Sequence, residues 1–293
     1  MMTTLLTFIP PVVLLLYFTL SDRFKEPKRT ILLVFFLGFL ICLPAGILNS
    51  LSHDFFYDGS KYSENLTSSF LGPAWAEELL KFSILYLIVL KRNEFNEPMD
   101  GLVYGVVVSL GFATYENFTY VYEWAEVIAK EENVDYAELS YLIALGRSYS
   151  AIPMHGLNGA VMGYYFGMYV FTGNKKFLIY SLALPYLFHG FYNFFVWPYP
   201  MTIIGILVIF SFYLHIDLRK RQVALKVQLI SVKLDGDMSL DSSFSSRIGD
   251  TFIVSDSGKG HLNFGEYKPG NTQGGGIYGQ GVSGVPGTYP RYG

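Results

Sequence analysis

Glu77 and Glu78 stand side by side in AWAEELLKF, residues 74–82, with Lys81 one turn further on and apolar runs to either side. A charge at the centre of a bilayer costs at least ~2.5–3.5 kcal/mol on the insertion scale, so charged groups in such a run point to function. Three later apolar segments are interrupted in the same way. Glu116 and Asn117 lie in GFATYEN, His155 and Asn158 in MHGLNGAVMG, and His189 and Asn193 in FHGFYN.

A set of this composition can hydrolyse an amide with water. One glutamate takes the proton of the attacking water, and a second carboxylate can act as its acid or orienting partner. His189 and Asn193 can donate hydrogen bonds to the developing oxyanion. His155 can position the water or donate a proton. Glu116 can serve as a second acid or an orienting group, and Lys81 and Asn117 are supporting residues. The same set also reads as a metal site, in which Glu77, Glu116, His155 and His189 hold zinc with one position open for water. No HExxH motif is present, so such ligands would come from separate segments. Cys42, in an apolar run, has no polar company, and there is no GxSxG motif, which argues against cysteine or serine nucleophiles. The expectation is hydrolysis without a cofactor, with zinc as the alternative.

Spacing assigns these groups to helix faces. Glu77 and Lys81, and likewise His189 and Asn193, are four residues apart and share a face. Glu78 is turned about 100° from Glu77, so the two carboxylates need not share a role. His155, Gly159, Gly163 and Gly167 form a stripe that lets another backbone approach closely. At ~1.5 Å per residue, Glu77, Glu116, His155 and His189 lie ~9–13 Å below the same end of four alternating helices. That common depth is what one cavity requires.

The elements that carry them are transmembrane helices. Of 293 residues, 51% are hydrophobic and 15% charged, against about 25% charged in soluble domains. Seven segments have spanning length, roughly 3–20, 30–51, 70–90, 101–122, 148–172, 177–198 and 201–217. Pro10-Pro11 interrupts the first. Residues 1–20 hold no lysine or arginine, and the basic cluster Arg23, Lys25, Lys28 and Arg29 follows. That order reads as a retained helix with its N-terminus outside, not a signal peptide. Basic residues concentrate in the loops that this orientation places inside, which puts the C-terminus in the cytoplasm. The net charge of −3 gives no footing for nucleic acid.

The expected organisation is an all-α polytopic domain over 1–221, a cytoplasmic extension over 222–256 and a Gly-rich disordered tail over 257–293. Within the extension, 223–234 reads as either a strand or a continued helix. The stretch between Glu123 and Arg147 predicts a short surface helix.

Four motifs in order resemble those of the PrsW family of intramembrane proteases, a branch of the superfamily of CAAX-processing membrane endopeptidases. They are Glu77-Glu78-Leu79-Leu80-Lys81, Phe112-Ala113-Thr114-Tyr115-Glu116-Asn117, His155 at the head of a glycine-rich span, and His189-Gly190-Phe191-Tyr192-Asn193. The likeness covers about 70–195 well and 1–69 loosely. It implies a protease of the cell membrane that cuts single-pass membrane proteins, such as anti-sigma factors, near the outer face. It implies that Glu77, Glu78, His155 and His189 are essential. Likeness to the CAAX-processing branch implies water activated by glutamate without metal, and a metalloprotease label has also been used. That branch ends its second motif in His, where this chain has Glu116. Two other classes fit parts of the pattern: a proton-coupled transporter, whose relay should spread across the membrane, and a non-catalytic sensor or scaffold acting through its tail. Structural roles compete at each residue as well, including an ion pair at Glu77–Lys81 and packing at Asn158.

Overall fold

The structure, a computed structural model, describes residues 1–196, 198–235, 250–254 and 262–266. Residues 1–238 and 239–293 form two separate units. The first is helical. Helix α1 spans Met2–Ser21, α2 Lys28–Leu40, α3 Cys42–Phe56 and α4 Lys61–Leu66. A π-helical segment, Thr67–Ala74, leads into α5, Trp75–Leu87. Helix α6 spans Pro98–Phe118 and runs into a second π-helical segment, Thr119–Trp124. Then follow α7, Ala125–Glu132, α8, Tyr136–Tyr149, α9, Ala151–Thr172, α10, Lys175–Phe194, and α11, Tyr199–Asp235.

A helix therefore occupies each of the seven expected segments. Three stretches among the described residues, Met2–Ser21, Lys28–Phe56 and Tyr199–Val223, are long and apolar enough to cross a membrane on composition alone. The helices carrying the polar motifs, α5, α6, α9 and α10, are not among these three. Residues 223–234 continue α11 as helix, and the stretch after Glu123 folds as two helices, α7 and α8. In the second unit, β1, Asp250–Val254, pairs antiparallel with β2, Leu262–Glu266. The rest of the 257–293 tail lies outside the described residues.

Helix α6 is the centre of the first unit, buried along nearly its whole length. A helix that is apolar all round belongs in a core. The stripe of α9 packs against it through matching glycines. A methyl group built on Gly163 would overlap the carbonyl oxygen of Gly101, and one on Gly105 that of Gly159. The two backbones touch along this seam, as small-residue stripes allow.

Helix α1 runs unbroken through Pro10-Pro11. Proline has no N–H, so Pro11 leaves the carbonyl of Thr7 without its helical partner. Asn117 Nδ2 donates to that carbonyl at 2.9 Å. The proline pair thus becomes a tie between α1 and α6 beside the second motif. This accounts for a helix where the sequence suggests an interruption.

Candidate active site

The π-helical segment ahead of α5 contains Pro73, and the first turn of α5 carries Glu77 and Glu78. Such π-turns are frequent at functional sites. Glu77, Glu78, Lys81, His155 and His189 are all at most 3% exposed. Glu116 is also drawn in, with 16% of its side chain exposed.

Lys81 is the hub. Its Nζ lies 2.9 Å from Glu78 Oε1, 3.0 Å from His155 Nδ1 and 3.6 Å from Glu77 Oε2, and it sits 4.2 Å from the centre of the Phe112 ring. The closer carboxylate is that of Glu78, three residues away, although the four-residue spacing favours Glu77. His155 and Phe112, approaching from α9 and α6, draw the ammonium to that side. An ammonium only donates, so His155 Nδ1 must accept and its Nε2 carries the hydrogen. That Nε2 donates to Glu116 Oε2 at 2.9 Å.

His189 Nδ1 lies 2.8 Å from Glu78 Oε1, which fixes the ring and leaves Nε2 facing Glu77 Oε2 at 3.9 Å. The rings of His155 and His189 meet edge to face with centroids 5.1 Å apart. Glu78 Oε1 therefore receives both Lys81 and His189. Among the described residues, Glu77 Oε2 and Glu78 Oε2 are both buried without a hydrogen-bond partner, but only Glu78 has its other oxygen bonded. The two adjacent carboxylates occupy different environments, as their 100° separation suggests. Phe70, from the π-helical segment, lies over Gly190 and meets Phe191 edge-on at 5.1 Å, covering the His189 side with aromatic surface.

Other expected residues fall outside the cluster. Asn193 is half-buried one turn beyond His189, with no hydrogen bond to the clustered groups among the described residues. Asn158 Nδ2 donates to the carbonyl of Pro185 at 2.9 Å and ties α9 to α10. Asn117 is held between Thr7 and Arg147.

Arg147 was not legible as a site residue. Its Nη2 donates to Glu116 Oε2 at 2.6 Å and its Nε to Asn117 Oδ1 at 2.8 Å, and it stacks 4.2 Å from the Tyr120 ring. In the sequence it is one loop cation among several. The one available signal is its place in the last turn of α8, immediately before the span that carries His155.

Glu77, His155 and His189 each offer a donor atom, all within 4.8 Å of one another, while Glu116 lies outside that triplet. A carboxylate and two imidazoles are zinc-type donors. As arranged, however, they do not fit the ion. Both nitrogens of His155 are spent, one on Lys81 and one on Glu116. The Lys81 ammonium already supplies positive charge to the donors a metal would use.

Residues 26–216 match the family described as PrsW family intramembrane metalloprotease, a wider stretch than the motifs alone cover. Protease PrsW of Bacillus subtilis (strain 168) is 34% identical over 227 residues, covering 76% of this chain and 95% of the relative. Protease PrsW of Clostridioides difficile (strain 630) is 28% identical over 218 residues, 71% of this chain and 86% of the relative. Protease PrsW of Oceanobacillus iheyensis is 33% identical over 188 residues, 63% and 78% respectively. No solved structure matches the chain at a significant level. With the family pattern matched across its helical unit and similarity running through most of its length, the chain belongs to the PrsW family of intramembrane proteases.

Proposed function

We propose that the chain hydrolyses peptide bonds of single-pass membrane proteins, of the anti-sigma-factor kind, near the extracytoplasmic face, by water that Glu77 activates. The observation that carries this reading is the unequal state of the two glutamates: Glu78 Oε1 is taken by both Lys81 and His189, whereas Glu77 receives no hydrogen bond among the described residues and its Oε2 faces His189 Nε2 at 3.9 Å.

A water between Glu77 Oε2 and His189 Nε2 spans a gap that is too long for a direct bond and of a size that one water bridges. Glu77 removes its proton as the water oxygen bonds to the scissile carbonyl carbon. Charge develops on the carbonyl oxygen, where a protonated His189 Nε2 can donate. The proton held by Glu77 passes to the leaving nitrogen as the C–N bond breaks, giving a carboxylate and an amine. Glu78 holds His189 by Nδ1, the orienting role that a carboxylate plays toward a catalytic imidazole. Lys81 keeps that carboxylate balanced, and Arg147, Glu116 and His155 extend the chain of contacts to the α8 side. The seven helices would place this cluster in the outer half of the membrane, with the N-terminus outside and the C-terminus in the cytoplasm.

Membranes from cells expressing the wild type, Glu77→Gln or Glu78→Gln test the reading through a map of new protein N-termini. Termini near the outer ends of single-pass proteins, seen only with the wild type, are expected. Identical maps from folded, abundant proteins would overturn it.

A further inference from the structure

A second buried polar cluster lies at the other end of α6. Asp100 and Glu116 are sixteen positions apart on this helix, ~24 Å at 1.5 Å per residue, so the cluster is separate from the protease site. It gathers Asp22, at the end of α1, Glu26, from the α1–α2 connection, and Glu97 and Asp100, at the start of α6. All four are at most 9% exposed.

Each carboxylate has one oxygen fixed by a donor of the protein. Asp22 Oδ1 accepts from Gln222 Nε2 at 2.7 Å, and Glu97 Oε1 accepts from the same amide. Glu26 Oε2 accepts from the hydroxyl of Tyr104. Asp100 Oδ2 accepts from the backbone N–H groups of Asn96 and Glu97, at 2.7 and 2.9 Å. These bonds aim the carboxylates and leave oxygens over. Among the described residues, Asp22 Oδ2 and Asp100 Oδ1 are buried and receive no amide, hydroxyl or cationic donor. One oxygen from each of Asp22, Glu26 and Asp100 lies within 4.8 Å of the other two.

Among the described residues, no lysine or arginine is ion-paired with any of the four. The nearest ammonium, that of Lys25, is bound to the backbone carbonyls of Thr19, Leu20 and Asp22. Buried carboxylates are ordinarily paired with cations or bound to metal. Here the positive partner is missing from the side chains, while the oxygens that would receive it are preset.

We infer that Asp22, Glu26 and Asp100, with Glu97 beside them, form a binding site for a hard divalent cation that fastens the end of α1 to the start of α6. An all-oxygen donor set selects ions of the Ca²⁺ and Mg²⁺ class over zinc. Two oxygens on one Ca²⁺ at ~2.3–2.6 Å can stand up to ~5 Å apart, which matches the spacing here. Gln222 places α11 in the same assembly by bridging Asp22 and Glu97.

The test uses the full chain in detergent, stripped with EDTA and titrated with Ca²⁺ alone or Mg²⁺ alone. Melting temperature and binding heat are both read, for the wild type, Glu77→Gln, Asp22→Asn and Asp100→Asn. The expected result is saturable binding with a rise of about 5–10 °C at a hundredfold excess over the dissociation constant. Glu77→Gln should keep the rise, and either aspartate variant should lose it. Asp22→Asn gives the answer if Asp100→Asn, which also removes a helix cap, fails to fold. Absence of binding heat and of any shift in the wild type would overturn the inference. So would a shift that survives both aspartate substitutions or disappears in Glu77→Gln. A stripped protein made more stable by Asp22→Asn, with no response to either ion, would mean that the carboxyls share protons instead.

Discussion

His189 Nδ1 and Glu78 Oε1 stand 2.8 Å apart across α10 and α5, and this bond divides the labour between two glutamates adjacent in the chain. It commits Glu78 Oε1 to orientation, while Glu77, which receives no hydrogen bond among the described residues, keeps its Oε2 toward His189 Nε2. Glu77→Gln should therefore reduce turnover of a co-reconstituted substrate by about 10²–10⁴-fold and leave the melting temperature near the wild-type value. A Glu77→Gln enzyme with more than a tenth of wild-type turnover would rule out Glu77 as the base.

Glu78→Gln should behave differently. It removes the negative charge that Lys81 and His189 share inside the protein, leaving only an amide oxygen to accept from them, and breaking a buried ion pair from one side costs about 3–5 kcal/mol. Lower yield and a clear drop in melting temperature in detergent should accompany its loss of activity. A Glu78→Gln protein as stable as Glu77→Gln would show that the Lys81 and His189 contacts contribute little to the fold.

Arg147 should act on rate through Glu116 and His155. Arg147→Gln is expected to lower kcat by about tenfold or more with little change in KM. Arg147→Lys should recover only part of that loss, because an ammonium cannot reproduce the forked contacts to Glu116 and Asn117. Full rescue by lysine would reduce the requirement to bare charge.

Chelation offers a test of the metal question. Because Lys81 and Glu116 occupy both nitrogens of His155, proteolysis should survive exhaustive treatment with a zinc chelator. Loss of activity, restored by zinc alone, would show that Lys81 withdraws and the triplet Glu77, His155 and His189 takes the ion.

The acidic cluster predicts a pH dependence in cation-free buffer. Burial, with Asp22 and Glu94 adding to it against the pull of Tyr104 and Asp100, pushes Glu26 up to about 7. Burial, with Asp22 and Glu26 adding to it against the pull of Gln222, pushes Glu97 up to about 8. Between the ordinary value of 4.5 and these raised values the folded state holds more protons than the unfolded one. Stability is then greatest at the acidic end of that window and falls as pH rises through it. Melting temperature should decline from about pH 5 to about pH 8. A flat or rising profile would mean that the cluster is not strained by its own charge.

Much of the site was legible because membrane helices make polar residues conspicuous. The i,i+4 spacing of Glu77 and Lys81, and the common depth of the four motifs, anticipated a single cluster. The glycine stripe of α9 anticipated a close neighbour but could not name α6, because pairing between helices is not written in either sequence alone. Arg147 was hidden for a related reason. Its partner is thirty-one residues away on another helix, and a loop arginine carries no periodic signal. Asn193 is the converse case: it has the right spacing from His189 and is half-buried, yet makes no hydrogen bond to the clustered groups among the described residues. The continuity of α1 through Pro10-Pro11 depended on Asn117, a tertiary partner that local rules cannot anticipate.

The glycine seam also has a mechanical consequence. With their backbones in contact, α6 and α9 cannot slide or part without breaking that fit, so Glu116 and His155 travel as one rigid body. Glu77, Glu78 and His189 are carried by α5 and α10, which among the described residues meet that body through side chains and the Asn158–Pro185 bond, without a glycine seam. Admission of a polypeptide would then open the site like a jaw, with the Lys81–His155 contact as the line along which it parts. Spin labels across α6 and α9 should hold a fixed distance when substrate binds, while labels across α5 and α9 should separate.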